Sequence, residues 1–543
     1  MTPPDGNATD TENATKAEDV GYMKRLMQGT AFSAVNFFVI LFLSFWLAPI
    51  MVHSLGERLN GIWQTVAALT GWYALLDFGL NYAVSRFITM SFSKKDYDEC
   101  NTYASTGLSL FLLIGAIVVV LSLIFGVGAS FFFPKIEDIG LLKIVIILSG
   151  AAFALDFPLR AITGISLGTM RHDLVGLGSM FFRILSAVAT YLVLISGGRL
   201  IALALLNLVL MLVQIQVYYM MAKKSFPQLH LSRQYIRHSH IKSLFSYSVY
   251  GFIAHIGNAL VFLLAKLLIP VFLAFEYVTP YGIAIQFADQ SRGLMLALSN
   301  WMTTWFTFLH SKGLRDEIIK TMRFGFKIST YISGFIIFGI VAWCDPFITR
   351  WMLNEHAIES GKINPIFWAD VIPCVILLAL AAGVRMVQEP MIRYLYATAN
   401  HKYYAFSCVA EGVLNAVLSI LLAKYFGMGL VGFAWGTLVS TLVLRGVYIP
   451  LIVCRLLELN VPAFCCQMSW LFLLTAIALV LPMVVTWWLV APNYPALLLV
   501  GGISTVLYFP SIYLIGFSSA EREKIKGFLL KRKQPSGENE EKA

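Results

Sequence analysis

Long apolar runs separated by short polar or charged segments set the pattern of the chain. Tyr103 to Phe133 contains no charged residue, and neither does Val461 to Ala520. A membrane span needs roughly 20 mostly apolar residues, so the first run holds one helix and the second holds two. Backbone groups in hydrocarbon must be satisfied inside a helix or a closed barrel, and the alternating ten-residue strands of a barrel are absent. The pattern predicts about fourteen helical spans. They fall near residues 29–52, 61–88, 103–133, 141–168, 173–196, 199–222, 243–270, 278–308, 321–344, 367–397, 403–426, 428–454, 467–490 and 494–516.

An even number of spans puts both termini on one side, and Lys and Arg identify it. With cytoplasmic termini, the tail side carries 25 basic loop residues against seven on the other side, the bias expected of cytoplasmic loops. The expectation is a multi-pass protein of the cytoplasmic (inner) membrane with both termini inside. Residues 1–20 are too poor in apolar side chains to fold alone, and the sequons at Asn7 and Asn13 lose their force on a cytoplasmic tail. The first apolar run is too long for a cleavable signal peptide.

Composition agrees: 58% of residues are hydrophobic and 13% charged, and the mean hydropathy is +0.74, which excludes an ordinary soluble protein. The seven cysteines form no metal-ligand spacing, so no metal site is expected. No phosphate-binding glycine loop, nucleophile elbow or His-Glu-x-x-His is present. No catalytic residue is assigned, and the chain is not expected to be an enzyme.

A spacing recurs. Pro49 and Gly61 are 12 apart, as are Pro270 and Gly282, at an offset of 221 that also carries Asp96 onto Glu317. At an offset of 229, His172 aligns with His401, Leu185 with Leu414, and Ala187-Val188 with Ala416-Val417. These matches suggest two six-helix lobes in the same orientation. The expected division is a tail (1–22), an N-terminal lobe (23–222), a basic linker (223–242), a C-terminal lobe (243–454), an extra helix pair (455–516) and a charged tail (517–543). The linker reads either as an interfacial helix or as a solvated connection.

The remaining eight basic residues lie within spans: Arg86, Arg160, Arg183, Lys266, Arg292, Arg385, Arg393 and Arg445. Buried cations normally face a bundle interior or a wet cavity. Arg86, Lys266 and Arg445 lie where snorkelling is feasible, and Asp156–Arg160 and Arg385–Glu389 are spaced to pair on one helical face. Arg183, Arg292 and Arg385 sit deepest and form, with Arg86 and Lys266, the expected cationic cavity. Asp77, Asp289, Glu411 and His255 are the candidate ion-coupling groups: each shares a helical face with further polar residues, and buried carboxylates can carry ions by alternating protonation.

Leu55-Gly56-x4-Gly61, Leu75-Leu76-Asp77-Phe78-Gly79-Leu80 with Arg86 beyond it, and Leu244-Phe245-Ser246-Tyr247-Ser248 resemble the polysaccharide-transporter branch of the multidrug/oligosaccharidyl-lipid/polysaccharide exporter superfamily, nearest to O-antigen-type flippases. The resemblance implies a two-lobed, fourteen-helix fold. It also implies alternating-access translocation of a polyprenyl-diphosphate-linked oligosaccharide for cell-surface polysaccharide (lipopolysaccharide) assembly. Arginine forks suit the diphosphate. No cofactor is implied beyond an H+ or Na+ gradient. The implied partners are the lipid-linked oligosaccharide, membrane lipids and polysaccharide polymerase machinery, with no nucleic acid and a monomeric chain. The alternatives are a cation-coupled multidrug exporter of the same superfamily or a membrane glycosyltransferase or polymerase. The second would place acidic catalytic groups on large exterior loops, whereas the longest here, Asp345–Pro365, has only 21 residues.

Overall fold

A computed structural model describes residues 6–134, 138–169, 171–237, 239–241, 244, 249–353, 358–359, 361–487, 494–519 and 521–522, with side chains from Val35 onward apart from interior exceptions such as His255. All regular structure among them is helical. The N-terminal half comprises α1 (Gly6–Tyr73), α2 (Leu80–Ser93), α3 (Tyr97–Phe132), α4 (Ile139–Gly168), α5 (His172–Ile195) and α6 (Leu200–Ser225). After the linker come α7 (Val249–Phe262), α8 (Leu264–Phe272), α9 (Val278–Ser311), α10 (Arg315–Trp351) and the short α11 (Pro365–Trp368). The C-terminal half continues through α12 (Val371–Val387), α13 (Glu389–Ala397), α14 (His401–Ile420), α15 (Gly429–Thr441) and α16 (Ile449–Leu456). α17 (Val461–Trp487) and α18 (Tyr494–Gly516) follow and pack on α10, where the buried Tyr508 hydroxyl donates to the Tyr331 carbonyl and the Tyr331 hydroxyl to the Gly516 carbonyl.

Among the described residues, 10 helices are long and apolar enough to cross a membrane, and the shorter apolar helices Ile256–Phe272 and Trp470–Val480 raise the count to twelve. The difference from fourteen has two physical causes. α1 is continuous by hydrogen bonding but bends at Gly56 (φ 78°, ψ 169°), a conformation that costs glycine little, so two expected spans merge into one helix. α9 is 34 residues long but carries Asp289, Arg292 and many amide and hydroxyl side chains, which lower its hydropathy.

The helices break where the sequence places polar groups. A 3-10 turn, Ala74–Asp77, ends the second leg of α1, and Phe78 (φ 47°) and Gly79 (φ 74°) take left-handed conformations before α2. α7 stops at Phe262, α12 at Val387, and π-turns at Leu421–Tyr425 and Leu442–Tyr448 interrupt α14 and the α15–α16 run. Backbone groups near a break inside hydrocarbon need new partners. They find side chains: Asn81 donates to the Arg160 carbonyl (2.6 Å), Asn415 to that of Val261 (3.3 Å) and Gln388 to that of Arg445.

Of the two forms expected, the linker takes the solvated connection rather than the helix, with most of its described residues exposed. It crosses the start of α3 as a mostly extended strap with one 3-10 turn at Arg233–Tyr235. Asn101 holds it by donating to the Gln228 carbonyl and accepting from the His230 N–H, and Thr106 accepts from the Arg237 N–H. His240 meets Glu99 at 2.8 Å, and Phe226 and Leu229 are buried against the N-terminal half. The polar face of α3's first turns ties down a few of the strap's backbone groups while most of its side chains stay exposed.

The halves meet along α1 and α9, at the two stretches that share the recurring spacing. A Cβ at Gly61 would strike the Phe275 carbonyl, and one at Gly282 would strike the Gln64 side chain, so both glycines permit close helix approach. Thr279 donates to the Glu57 carbonyl (2.7 Å), and Phe45 packs on Phe287 and Trp351. Beside this seam the buried Glu57 carboxylate accepts from the Asn364 N–H (2.8 Å) and the Trp368 indole (2.6 Å), fastening the α1 bend to the segment after α10.

Candidate functional site

The C-terminal half encloses a charge cluster built on two helix interruptions and the middle of a third helix. Glu411, mid-α14, is 0% exposed, Arg445 in the second π-turn 3%, and Arg385 near the end of α12 7%. One Glu411 oxygen accepts from Arg385 (2.6 Å) and from the Thr441 hydroxyl (2.8 Å), and the other accepts from Arg445 Nε (2.7 Å). Arg385 also donates to Thr441 (3.0 Å), and Arg445 reaches the Cys408 sulfur (3.1 Å) and lies 4.6 Å from the Tyr404 ring centroid. Two arginines around one carboxylate leave the triad with one surplus positive charge. Burial of such charge is offset by the hydrogen bonds to Glu411 and Thr441, although Arg385 Nε is left without one.

Next to it, Arg385 and Arg292 both converge on the Phe262 ring, with guanidinium carbons 4.5 and 4.3 Å from its centroid. Arg292 pairs with Asp289 one turn back on α9 at 3.6 Å, and Asp289 also interacts electrostatically with Lys266 on α8. The Nε atoms of Arg292 and Arg385 and Oδ1 of Asp289 are buried without a hydrogen-bond partner. A cavity of about 20 Å³ lies among Phe262, Tyr281, Arg292, Arg385 and Thr437. The arrangement presents convergent, incompletely satisfied guanidinium donors, the chemistry that recognises phosphate oxygens.

The N-terminal half holds a different cluster. Arg160 on α4 bridges Asp156 (2.7 Å) and Asp77 (3.3 Å), the latter at the 3-10 break before α2. The Asp156–Arg160 pair therefore forms as spaced, and Asp77 joins it. Arg183 on α5 is exposed and 3.5 Å from Ser179 on its own helix, and Arg86 on α2 is exposed with its guanidinium over the neighbouring Phe87 ring. The structure thus groups Arg292, Arg385 and Lys266, and places Arg183 and Arg86 apart from them. The His255 side chain and Tyr247 lie outside the described residues.

Two pairing expectations are corrected. Arg385 does not pair with Glu389, because the break at Gln388 destroys their four-residue register: Glu389 binds Arg393 instead (2.6 Å) and Arg385 turns to Glu411. Arg445 does not snorkel; the π-turn rotates it inward onto Glu411. The sequence reading missed Arg445, Thr441 and Phe262 as members of one site. Their signal was weak, because the partners are 26 and 34 residues from each other's helical register.

The fold is that of the multidrug-exporter and lipid-flippase transporters, an all-helical polytopic membrane protein. The chain is similar to the lipid II flippase MurJ in an inward closed conformation (TM-score 0.68, 14% identity, covering 90% of this chain and 98% of that one). It is also similar to the inward-facing conformation of a multidrug resistance MATE family transporter of the MOP superfamily (TM-score 0.65, 12% identity, 77% and 95%). A MOP superfamily transporter from Pyrococcus furiosus, described as having a binding pocket of reversed polarity, matches with a TM-score of 0.60 at 13% identity over 80% and 96%. By sequence, it resembles a protein of Bacillus subtilis (strain 168) described as the uncharacterized membrane protein EpsK (21% identity over 428 residues, 77% of this chain and 81% of the relative). No family model matches the chain.

Proposed function

We propose that this chain is a flippase that carries a polyprenyl-diphosphate-linked oligosaccharide across the cytoplasmic membrane by alternating access, for cell-surface polysaccharide assembly. The observation that carries the reading is the pair of guanidiniums converging on Phe262 with unpartnered Nε donors, backed by a triad of net positive charge. Arg292 and Arg385 bind the diphosphate in this reading, and Lys266 adds charge beside them. Arg183 and Arg86 contribute outside that centre. Likeness to MurJ supports a lipid-linked cargo. Two six-helix lobes, with both termini cytoplasmic, complete the proposal.

Among the coupling candidates, Asp289 is the most available, because its contact to Arg292 is long and the oxygen that makes it accepts no hydrogen bond. Glu411 and Asp77 are held by arginines. The net positive charge of the triad weighs against the multidrug-exporter reading, since a cationic drug would be repelled there. The test is flipping of a polyprenyl-diphosphate-linked trisaccharide in proteoliposomes, scored by sugar accessibility to an impermeant reagent. Arg292→Gln is expected to slow flipping by about tenfold or more, the loss of one charge-assisted hydrogen bond, while the melting temperature holds. Wild-type speed in a correctly inserted Arg292→Gln protein removes the diphosphate site. Dependence of the wild-type rate on a proton or sodium gradient that Asp289→Asn abolishes would identify the coupling group.

A further inference from the structure

The N-terminal half contains a groove that the cationic centre does not use. It consists of two cavities, of about 260 and 400 Å³, that share Phe182, Ser186 and Gln214. Joined, they reach the size of a small-molecule site. One cavity runs between α1 and α4–α6, lined by Trp63, Thr70, Ser149 and Asn207; the other opens past Ser44, Ser179 and Arg183 between α1 and α5. Every polar side chain along it is a hydroxyl or an amide except Arg183, and no carboxylate lines it. The Ser149 hydroxyl is buried without a protein partner. A neutral bilayer-facing helix bundle does not need so many amides and hydroxyls in one place, where each costs free energy unless it is paired.

α1 relates the groove to the cationic centre. One stripe of α1 (Phe45, Ala48, Val52) packs into the core of the C-terminal half, and Phe37 abuts Gly293 beside Arg292. The adjoining stripe (Ile40, Leu43, Ser44, Leu47) walls the groove. A ligand held by its anionic end at Arg292 can therefore extend around a single helix into the groove.

We infer that this groove is the subsite for the uncharged sugar residues of the cargo. This rests on the flippase reading. The indole face of Trp63 supplies the apolar platform on which a pyranose ring stacks. Gln214, Asn207 and Ser186 supply donors and acceptors for ring hydroxyls and for an N-acetyl amide. The absence of carboxylates makes the groove unsuited to cationic drugs, and Arg183 at its mouth admits an acidic sugar only there.

The test compares two probes on the full chain in nanodiscs: a polyprenyl diphosphate without sugar and the same lipid bearing a trisaccharide of N-acetylhexosamine and hexoses. The wild type is expected to bind the glycan-bearing lipid about tenfold more tightly, the gain of one to two well-placed hydrogen bonds. Gln214→Leu is expected to erase that preference while leaving the affinity for the bare lipid diphosphate unchanged; Asn207→Leu, on the same helix, checks the result should Gln214→Leu fail to insert. Preference retained in both variants overturns the groove assignment. Arg292→Gln separates the two readings: loss of both probes in that variant upholds the flippase site whatever the groove does, whereas a wild type that binds neither probe removes the flippase reading itself. Tight binding of a cationic dye that Gln214→Leu abolishes would overturn the sugar assignment in favour of a drug site.

Discussion

The two halves carry charge triads of inverted sign in unlike surroundings. In the N-terminal half a lone arginine, Arg160, lies between Asp77 and Asp156; in the C-terminal half a lone carboxylate, Glu411, lies between Arg385 and Arg445. The first is partly open, with side-chain exposures of 27% for Arg160 and 16% for Asp77, and its Asp77 contact is 3.3 Å. The second is sealed, with every contact to Glu411 at 2.8 Å or less. The contrast teaches that the same number of charged groups makes two electrostatically opposite settings. A sealed triad fixes a positive potential next to Arg292. An open triad at a left-handed helix break can exchange partners when the chain moves.

The largest expected effect follows from the sealed triad. Glu411→Gln leaves two buried guanidiniums without their counter-charge, and breaking such a pair costs about 3–5 kcal/mol. The melting temperature in detergent should fall sharply. Replacing all three members together (Arg385→Met, Glu411→Leu, Arg445→Met) should recover most of the loss while flipping stays abolished, because the apolar set restores packing but not potential. A stable Glu411→Gln protein would show that the triad is hydrated and would erase the contrast between the halves.

In the open triad the corresponding change is milder. Asp77→Asn keeps the size of the side chain and leaves Arg160 paired with Asp156, so it is expected to cost about 1–2 kcal/mol, less than Glu411→Gln. A loss comparable to that of Glu411→Gln would place Asp77 in an interior as sealed as the other half. If transport falls with stability preserved, Asp77 acts in the working cycle, and the open triad is the moving one.

How far these triads could be read from sequence differs by level. The spans were legible because hydrophobic length is local information, and the helix breaks at Gly56 and at Phe78-Gly79 coincide with glycine signals. Arg385 and Glu411 stood out as charges deep in apolar runs. Their pairing did not, because the Gln388 break and the π-turn at Leu442–Tyr448 defeat a 3.6-residue periodicity, turning Arg385 away from Glu389 and Arg445 inward. The linker's course was equally hidden. It is set by Asn101, Ser105 and Thr106, which look like ordinary small polar residues of a helix until the strap lies across them.

The smallest effect belongs to a two-membered pair at the aqueous end, which calibrates the comparison. Lys327 on α10 holds Glu521 beyond α18 at 3.0 Å, and the Ser518 N–H donates to the same carboxylate. Burial works against the charged form of Glu521, yet the Ser518 N–H and the Lys327 ammonium outweigh it and hold the carboxyl below its ordinary value of 4.5. A depressed carboxyl contributes stability that is complete above the ordinary value and is lost as pH falls through the lowered one. The melting-temperature gap between the wild type and Glu521→Gln should therefore be small at pH 7, worth at most about 1 kcal/mol, and shrink as pH falls below the ordinary carboxyl value. The gap caused by Glu411→Gln should persist over that range, since water does not reach the sealed triad. If both gaps close together, burial is not what distinguishes the cationic centre from an ordinary surface pair.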